Sequence, residues 1–168
     1  HTREDFEASS LAARNAGFRN INVDIMYGIP LQTPDSFNRT LDYVTKLEPE
    51  HISMYGLKIE DETPFAAARD TLILPDEDSE ADMYFDGIRY LEAKGFRHYE
   101  ISNFALPGFR SRHNSKYWDL SDYLGLGPGA HSFLNGRRFA FARDIRAYIS
   151  GESIPQDEEE VSDFRRQG

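Results

Sequence analysis

The stretch Asn22-Val23-Asp24-Ile25-Met26-Tyr27-Gly28-Ile29-Pro30-Leu31-Gln32-Thr33 decides the fold. Its first half alternates. Ile21, Val23 and Ile25 fall on one face of an extended chain, and Asn22, Asp24 and Met26 on the other. Tyr27-Gly28-Ile29-Pro30 then reads as a turn, and Thr33 followed by Pro34 as a helix start. The threonine hydroxyl caps N–H groups that have no partner in the first turn, and the proline sits where no N–H is needed. Strand, turn and capped helix make one β/α unit, with the apolar strand face available to lie beneath helices.

The same grammar extends in both directions. Upstream, Thr2-Arg3-Glu4-Asp5 has the form of a capping box, and the helix it opens runs to about Ala16 and stops at Gly17. Downstream, Phe37, Leu41, Val44 and Leu47 recur at helical spacing, with Pro49 just beyond. His51 to Ile59 reads as a second strand. Residues 60–74 form a longer connection with a short helix near Phe65 to Asp70. A third helix starts after Pro75, capped by Asp76 or Asp78, with Ala81, Tyr84, Ile88 and Leu91 on one face. Gly95 ends it, and Arg97 to Phe104 reads as a third strand. The corners Ala16-Gly17-Phe18-Arg19 and Lys94-Gly95-Phe96-Arg97 are one helix-to-strand junction used twice. Repeated units of this kind predict an α/β fold with a largely parallel sheet.

After Phe104 the pattern changes. Residues 105–122 show no clean period and read as a loop. Tyr123 to Ala130 interleaves apolar residues with glycines, and Ser132 to Ala142 reads as a hairpin around Asn135-Gly136. A short helix follows near Asp144 to Ile149. The expected organisation is β/α units over 1–104, a ligand-side loop, last strand, hairpin and short helix over 105–150, and an acidic linker over 151–168. A start on a helix cap without Met, and an end at Arg165-Arg166-Gln167-Gly168, read as cuts inside a larger protein.

Composition excludes several functions. The net charge of −10 opposes binding nucleic acid through its phosphates, which needs clustered cations. No apolar run approaches the ~20 residues that cross a bilayer, and no signal peptide opens the chain, so a cytoplasmic location is expected. The 168 residues contain no cysteine, hence no disulfide, thiolate nucleophile or thiolate-bound metal. No HExxH, GxSxG or Walker loop occurs, and no metal-ligating set is expected.

Three groups of residues remain as candidates. Asp24 points away from the apolar strand face, which in a β/α barrel means inward. A carboxylate there needs a partner: a ligand ribose or ammonium, an arginine, or a structural salt bridge. Arg112-His113-Asn114 with Tyr117-Trp118 puts a cation, an imidazole, an amide and two aromatics together, a set suited to a flat acidic ligand. The alternative is a loop pinned by Trp118 in the core. Leu124-Gly125-Leu126-Gly127-Pro128-Gly129 lacks the phosphate-binding GxGxxG pattern. Its glycines more plainly let the backbone pass close to a ligand or a neighbouring strand, with His131 following. His51 and His98 read as surface or satisfied positions.

The string also resembles a known family. Asn22 to Thr33, Pro49-Glu50-His51-Ile52-Ser53, Thr63-Pro64-Phe65, His98-Tyr99-Glu100-Ile101-Ser102-Asn103-Phe104-Ala105, Arg112-His113-Asn114, Tyr117-Trp118, Tyr123 to Gly127 and Gly129-Ala130-His131-Ser132 follow in register. Together they are similar to the radical S-adenosylmethionine proteins of the oxygen-independent coproporphyrinogen III oxidase family, over nearly the whole chain. The Thr-Pro-Phe, Arg-His-Asn, Tyr-Trp and Gly-Ala-His-Ser elements look more like its heme-chaperone-like branch.

The resemblance implies later β/α units of a partial (β/α)6 TIM-like barrel, with an N-terminal CxxxCxxC segment and most S-adenosylmethionine ligands lying before His1. It implies S-adenosyl-L-methionine and a 4Fe–4S cluster in the parent, with the cluster not bound by this cysteine-less chain, which is therefore expected to be inactive alone. Asp24 aligns with the family's acidic cofactor-binding residue. Lys58 aligns with a position that touches the cofactor through backbone, and His131 with one near the adenine. The implied partner is heme or a porphyrin, with Arg112, His113, Asn114, Tyr117 and Trp118 as the candidate contacts. The second implied function is conversion of two coproporphyrinogen III propionates to vinyls; a third is a non-catalytic structural module. A half-barrel would also expose a sheet edge and favour self-association.

Overall fold

The computed structural model describes residues 2–61 and 63–160. They form two compact units, divided between Arg110 and Ser111.

In the first unit, helix α1 (Arg3–Asn15) opens with the expected box. Thr2 Oγ1 accepts from Asp5 N–H, and the Asp5 carboxylate accepts from Thr2 N–H. Strand β1 (Asn22–Tyr27) follows, then α2 (Pro34–Thr45), capped by Thr33, and β2 (His51–Gly56). β1 and β2 pair in parallel, Asn22 opposite His51 and Asp24 opposite Ser53. A short helix α3 (Pro64–Ala67) and a single 3-10 turn (Arg69–Thr71) lead to α4 (Glu77–Ala93), for which Asp76 is the cap.

Two expectations change here. The buried stripe of α4 is Met83, Gly87 and Leu91, while Ala81 is exposed. Gly87 belongs to the stripe because α4 comes very close to the sheet: a Cβ there would lie 2.6 Å from Met54 Sδ and 3.3 Å from Phe37 Cε1. Arg97 to Phe104 is not one strand. It is β3 (Arg97–His98), a turn, and β4 (Asn103–Ala105), which pairs antiparallel with both β2 and β3. The sheet order is β1-β2-β4-β3, parallel at β1–β2 only. The Glu100 carboxylate reverses the chain by accepting from Ser102 N–H and Asn103 Nδ2.

The apolar side of this sheet holds the core. Val23, Ile25, Ile52, Met54 and Phe104 pack with Phe37, Leu41 and Val44 of α2, Met83 and Leu91 of α4, and Phe96. Arg14 ties α1 to the corner before β2. It pairs with Glu50 at 2.8 Å, and Glu50 also accepts from Ile21 N–H at 2.9 Å.

In the second unit the expected loop contains a helix, α5 (Arg112–Asp119), capped by Ser111. β5 (His131–Leu134) and β6 (Arg137–Phe141) form the hairpin, with Asn135 and Gly136 at φ 52° and 79°, as a two-residue turn with both centres left-handed requires. α6 (Ile145–Ser150) follows its cap Asp144. Part of the expected acidic linker is a third strand, β7 (Pro155–Glu160), paired with β6; residues 161–168, with the terminal Arg-Arg-Gln-Gly, lie outside the described residues, as does His1. Gly125 runs against the β5 backbone, where a Cβ would lie 2.3 Å from the His131 carbonyl oxygen, so this glycine serves a close strand approach.

Candidate functional site

The two faces of the first sheet differ because alternation sorted them. Val23, Ile25, Ile52 and Phe104 went beneath the helices; Asn22, Asp24, Met26, His51 and Ser53 share the opposite face. On that face Asp24 is exposed, and no ion pair holds it among the described residues. Its partner is neither an arginine nor a salt bridge but an amide. Asn22 Nδ2 donates to Asp24 Oδ1 at 2.6 Å and to Ser53 Oγ at 3.1 Å.

Asn22 is itself oriented from the other side. Its Oδ1 accepts from His51 Nδ1 at 2.5 Å, and His51 Nε2 accepts from the Tyr99 hydroxyl at 2.7 Å. An amide oxygen can only accept, so Nδ1 carries a proton, and the neutral ring then leaves Nε2 to accept from Tyr99. His51 is 3% exposed. Burial pushes its pKa below the ordinary 6.5, although Asp24 and Glu100 pull the other way. The result is a hydrogen-bonded line, Tyr99–His51–Asn22–Asp24, which turns the amide N–H group toward the carboxylate. His51 and Tyr99 were not singled out in the sequence. The parity rule applied to β2 would have placed His51 on the polar face with Ser53, but not opposite Asn22; Tyr99 lies in the turn after β3 and carries no periodic signal.

Lys58 lies just past β2, its side chain exposed and paired with Glu60 at 2.9 Å. That pairing holds its pKa above the ordinary value, through the Glu60 hydrogen bond first.

In the second unit, α5 brings part of the predicted ligand set together. His113 and Tyr117 are one turn apart, with the hydroxyl 2.9 Å from His113 Nε2. The Tyr117 ring meets Tyr123 edge-on at 4.7 Å, and Tyr123 lies 6.2 Å from Phe133. Beside them is a cleft of about 340 Å3 lined by Lys116, Tyr117, Trp118, Leu120, Tyr123, Phe133, Arg138 and Glu159. Arg112, His113 and Asn114 do not line it. Trp118 is 45% exposed, which rules out its role as a core pin. His131, at the start of β5, is exposed. Among the described residues, no group of three or more His, Cys, Asp or Glu is placed to hold a metal, and no helix is long and apolar enough to cross a membrane.

No protein-family model matches the chain. Individual proteins do. It is 38% identical over 151 residues to the heme chaperone HemW of Lactococcus lactis and, over the same length, to that of Bacillus subtilis; each match covers 89% of this chain and 40% of the relative. The heme chaperone HemW of Escherichia coli is 34% identical over 159 residues, 92% of this chain and 42% of its own. Over most of its length this chain is similar to HemW heme chaperones. It spans about 40% of those curated relatives. The chain also superposes on the Escherichia coli coproporphyrinogen III oxidase HemN, described as a radical SAM enzyme. The TM-score is 0.76 at 22% identity, over 96% of this chain and 41% of that one. At that identity the likeness establishes the fold: the α/β architecture is that of the HemN radical SAM protein.

Proposed function

We propose that this chain is part of a cytoplasmic radical S-adenosylmethionine protein that, like the HemW heme chaperones it resembles, binds heme and passes it to an acceptor. The observation that carries the reading is the 34–38% identity to HemW heme chaperones over most of the chain. The second-unit cleft supports it chemically. Tyr117, Trp118, Tyr123 and Phe133 offer aromatic walls to a flat macrocycle, and Lys116 and Arg138 offer cations to its carboxylates. His113, whose Nε2 lies 2.9 Å from the Tyr117 hydroxyl of that cleft, and His131 are the two candidate iron ligands, though neither lines the cleft itself; Arg112 and Asn114 lie on the same helix as His113.

The open sheet face fits S-adenosylmethionine. Asp24 presents a carboxylate whose orientation is fixed by Asn22, suited to a ribose hydroxyl or an ammonium group. Lys58, its side chain turned to Glu60, would contribute through its backbone. A 4Fe–4S cluster does not fit the residues present, because the 168 residues offer no thiolate. When bound, S-adenosylmethionine would supply radical chemistry only with an electron from a cluster that these 168 residues do not hold; Asp24 would bind it, with Asn22, set by His51, orienting Asp24. The oxidase reading, in which propionates become vinyls, rests on the fold likeness to HemN and stands second.

Heme titration tests the proposal. The expected result is a saturable, equimolar Soret shift, abolished by His113→Ala or His131→Ala and weakened several-fold by Trp118→Ala. Absence of any Soret change, or indifference to all three substitutions, would overturn it.

A further inference from the structure

We propose that a cleft between Arg97 and Arg110, at the opposite edge of the sheet from Asp24, binds an oxyanion: a carboxylate or phosphate group of a ligand or partner. The site does not depend on the heme or S-adenosylmethionine readings. Arg97, Ala105, Leu106, Pro107, Gly108 and Arg110 enclose about 220 Å3, and the charged groups among them are both guanidinium ions.

Three features make this more than two surface arginines. First, among the described residues neither guanidinium takes part in an ion pair, although the chain carries a net charge of −10. The nearby Glu100 is occupied by Ser102 N–H and Asn103 Nδ2. Second, Arg110 is held from below. Its Cζ lies 5.3 Å from the centroid of the Tyr99 ring, and the Tyr99 hydroxyl is fixed on His51. A guanidinium laid on a ring keeps its N–H edge for a planar oxyanion, and the ordering cost of that side chain is already met. Third, the cleft floor is rigid. Leu106 N–H donates to the Glu50 carbonyl at 2.9 Å and Phe109 N–H to the Leu106 carbonyl at 3.0 Å, around a Gly108 at φ 91° that only glycine adopts easily. Ala105, opposite Arg97 in the β-ladder, adds no bulk to fill the space.

Arginine Nε–H resonances of the 168-residue chain, followed while sodium acetate or inorganic phosphate replaces sodium chloride at constant ionic strength, test this. The expected result is saturable shifts at Arg97 and Arg110, with Arg97→Gln and Arg110→Gln each weakening binding at least tenfold. Arg89→Gln, on α4 where Arg89 pairs with Asp86 and does not line the cleft, leaves it unchanged. Comparing the acetate and phosphate arms identifies which oxyanion the cleft prefers. Should a glutamine variant melt early, Arg110→Lys keeps the charge but loses the fork, and weakens binding several-fold. Linear shifts that chloride reproduces, or equal affinity in the variants, would overturn the proposal.

Discussion

The two units stand on different physics. The first sets eleven buried residues between two helices and one sheet face. The second has Phe133 and Ala140 as its buried apolar residues, and otherwise holds together through strand ladders, an edge-on aromatic chain and helix caps. A core that excludes water supplies stability; aromatic rings left half exposed supply contact area for something else. The same division runs through the first unit alone. One sheet face is apolar and covered, while the other is polar and keeps its side chains ordered by hydrogen bonds rather than by packing.

The largest expected effect breaks this contrast at the core. Phe37→Ala should destabilise the first unit by about 3–5 kcal/mol in denaturant unfolding, whereas Phe133→Ala should cost about 1–2 kcal/mol and leave the first unit's transition unmoved. Equal losses would mean that one core serves both units. Gly87→Ala should follow at about 1–3 kcal/mol, since the added methyl meets Met54 and Phe37.

The covered face was legible in the sequence because burial is periodic. Val23 and Ile25, the stripe Phe37, Leu41 and Val44, and the cap residues Thr2, Thr33 and Asp76 all took their expected places. The misses were non-periodic. Glu100 bonding to Ser102 and Asn103, and a helix over residues 112–119 capped by Ser111, are local devices that leave no repeating apolar signal, while the Gly87 contact depends on tertiary partners. The site divides likewise. Strand parity gave Asp24 its face, yet its ordering by Asn22 and His51 needed the cross-strand register. Asp24 lies on the face away from the helices, as parity requires, and is exposed there.

Acid should sharpen the picture through two groups with separate windows. Burial would raise Glu50, but the Arg14 guanidinium and Ile21 N–H outweigh it and hold the carboxyl below its ordinary 4.5. A depressed carboxyl stabilises the fold above the unfolded-state value and loses that contribution as pH falls through the folded one. Glu50→Gln should cost about 2 kcal/mol at neutral pH and flatten the stability profile below pH 4.5. His51, also depressed, should erode stability earlier, as pH falls below the unfolded 6.5 where only the unfolded ring takes a proton. His51→Gln should remove that slope. A profile unchanged by either variant would contradict the assignment.

The smallest expected effect concerns the sheet edge. β1 is an outer strand, so a second copy can pair with it, and elution in size exclusion should shift with concentration. A constant monomer position at high concentration would count against that pairing.

The claim that the polar sheet face is the binding face is tested most directly by backbone and side-chain amide NMR during a titration with S-adenosylhomocysteine. Saturable shifts centred on Asn22, Asp24 and Ser53, with Val23, Ile25 and Phe104 silent and the response lost in Asp24→Asn, are the predicted result. No saturable response, or one centred on the covered helices and unchanged in Asp24→Asn, would contradict it.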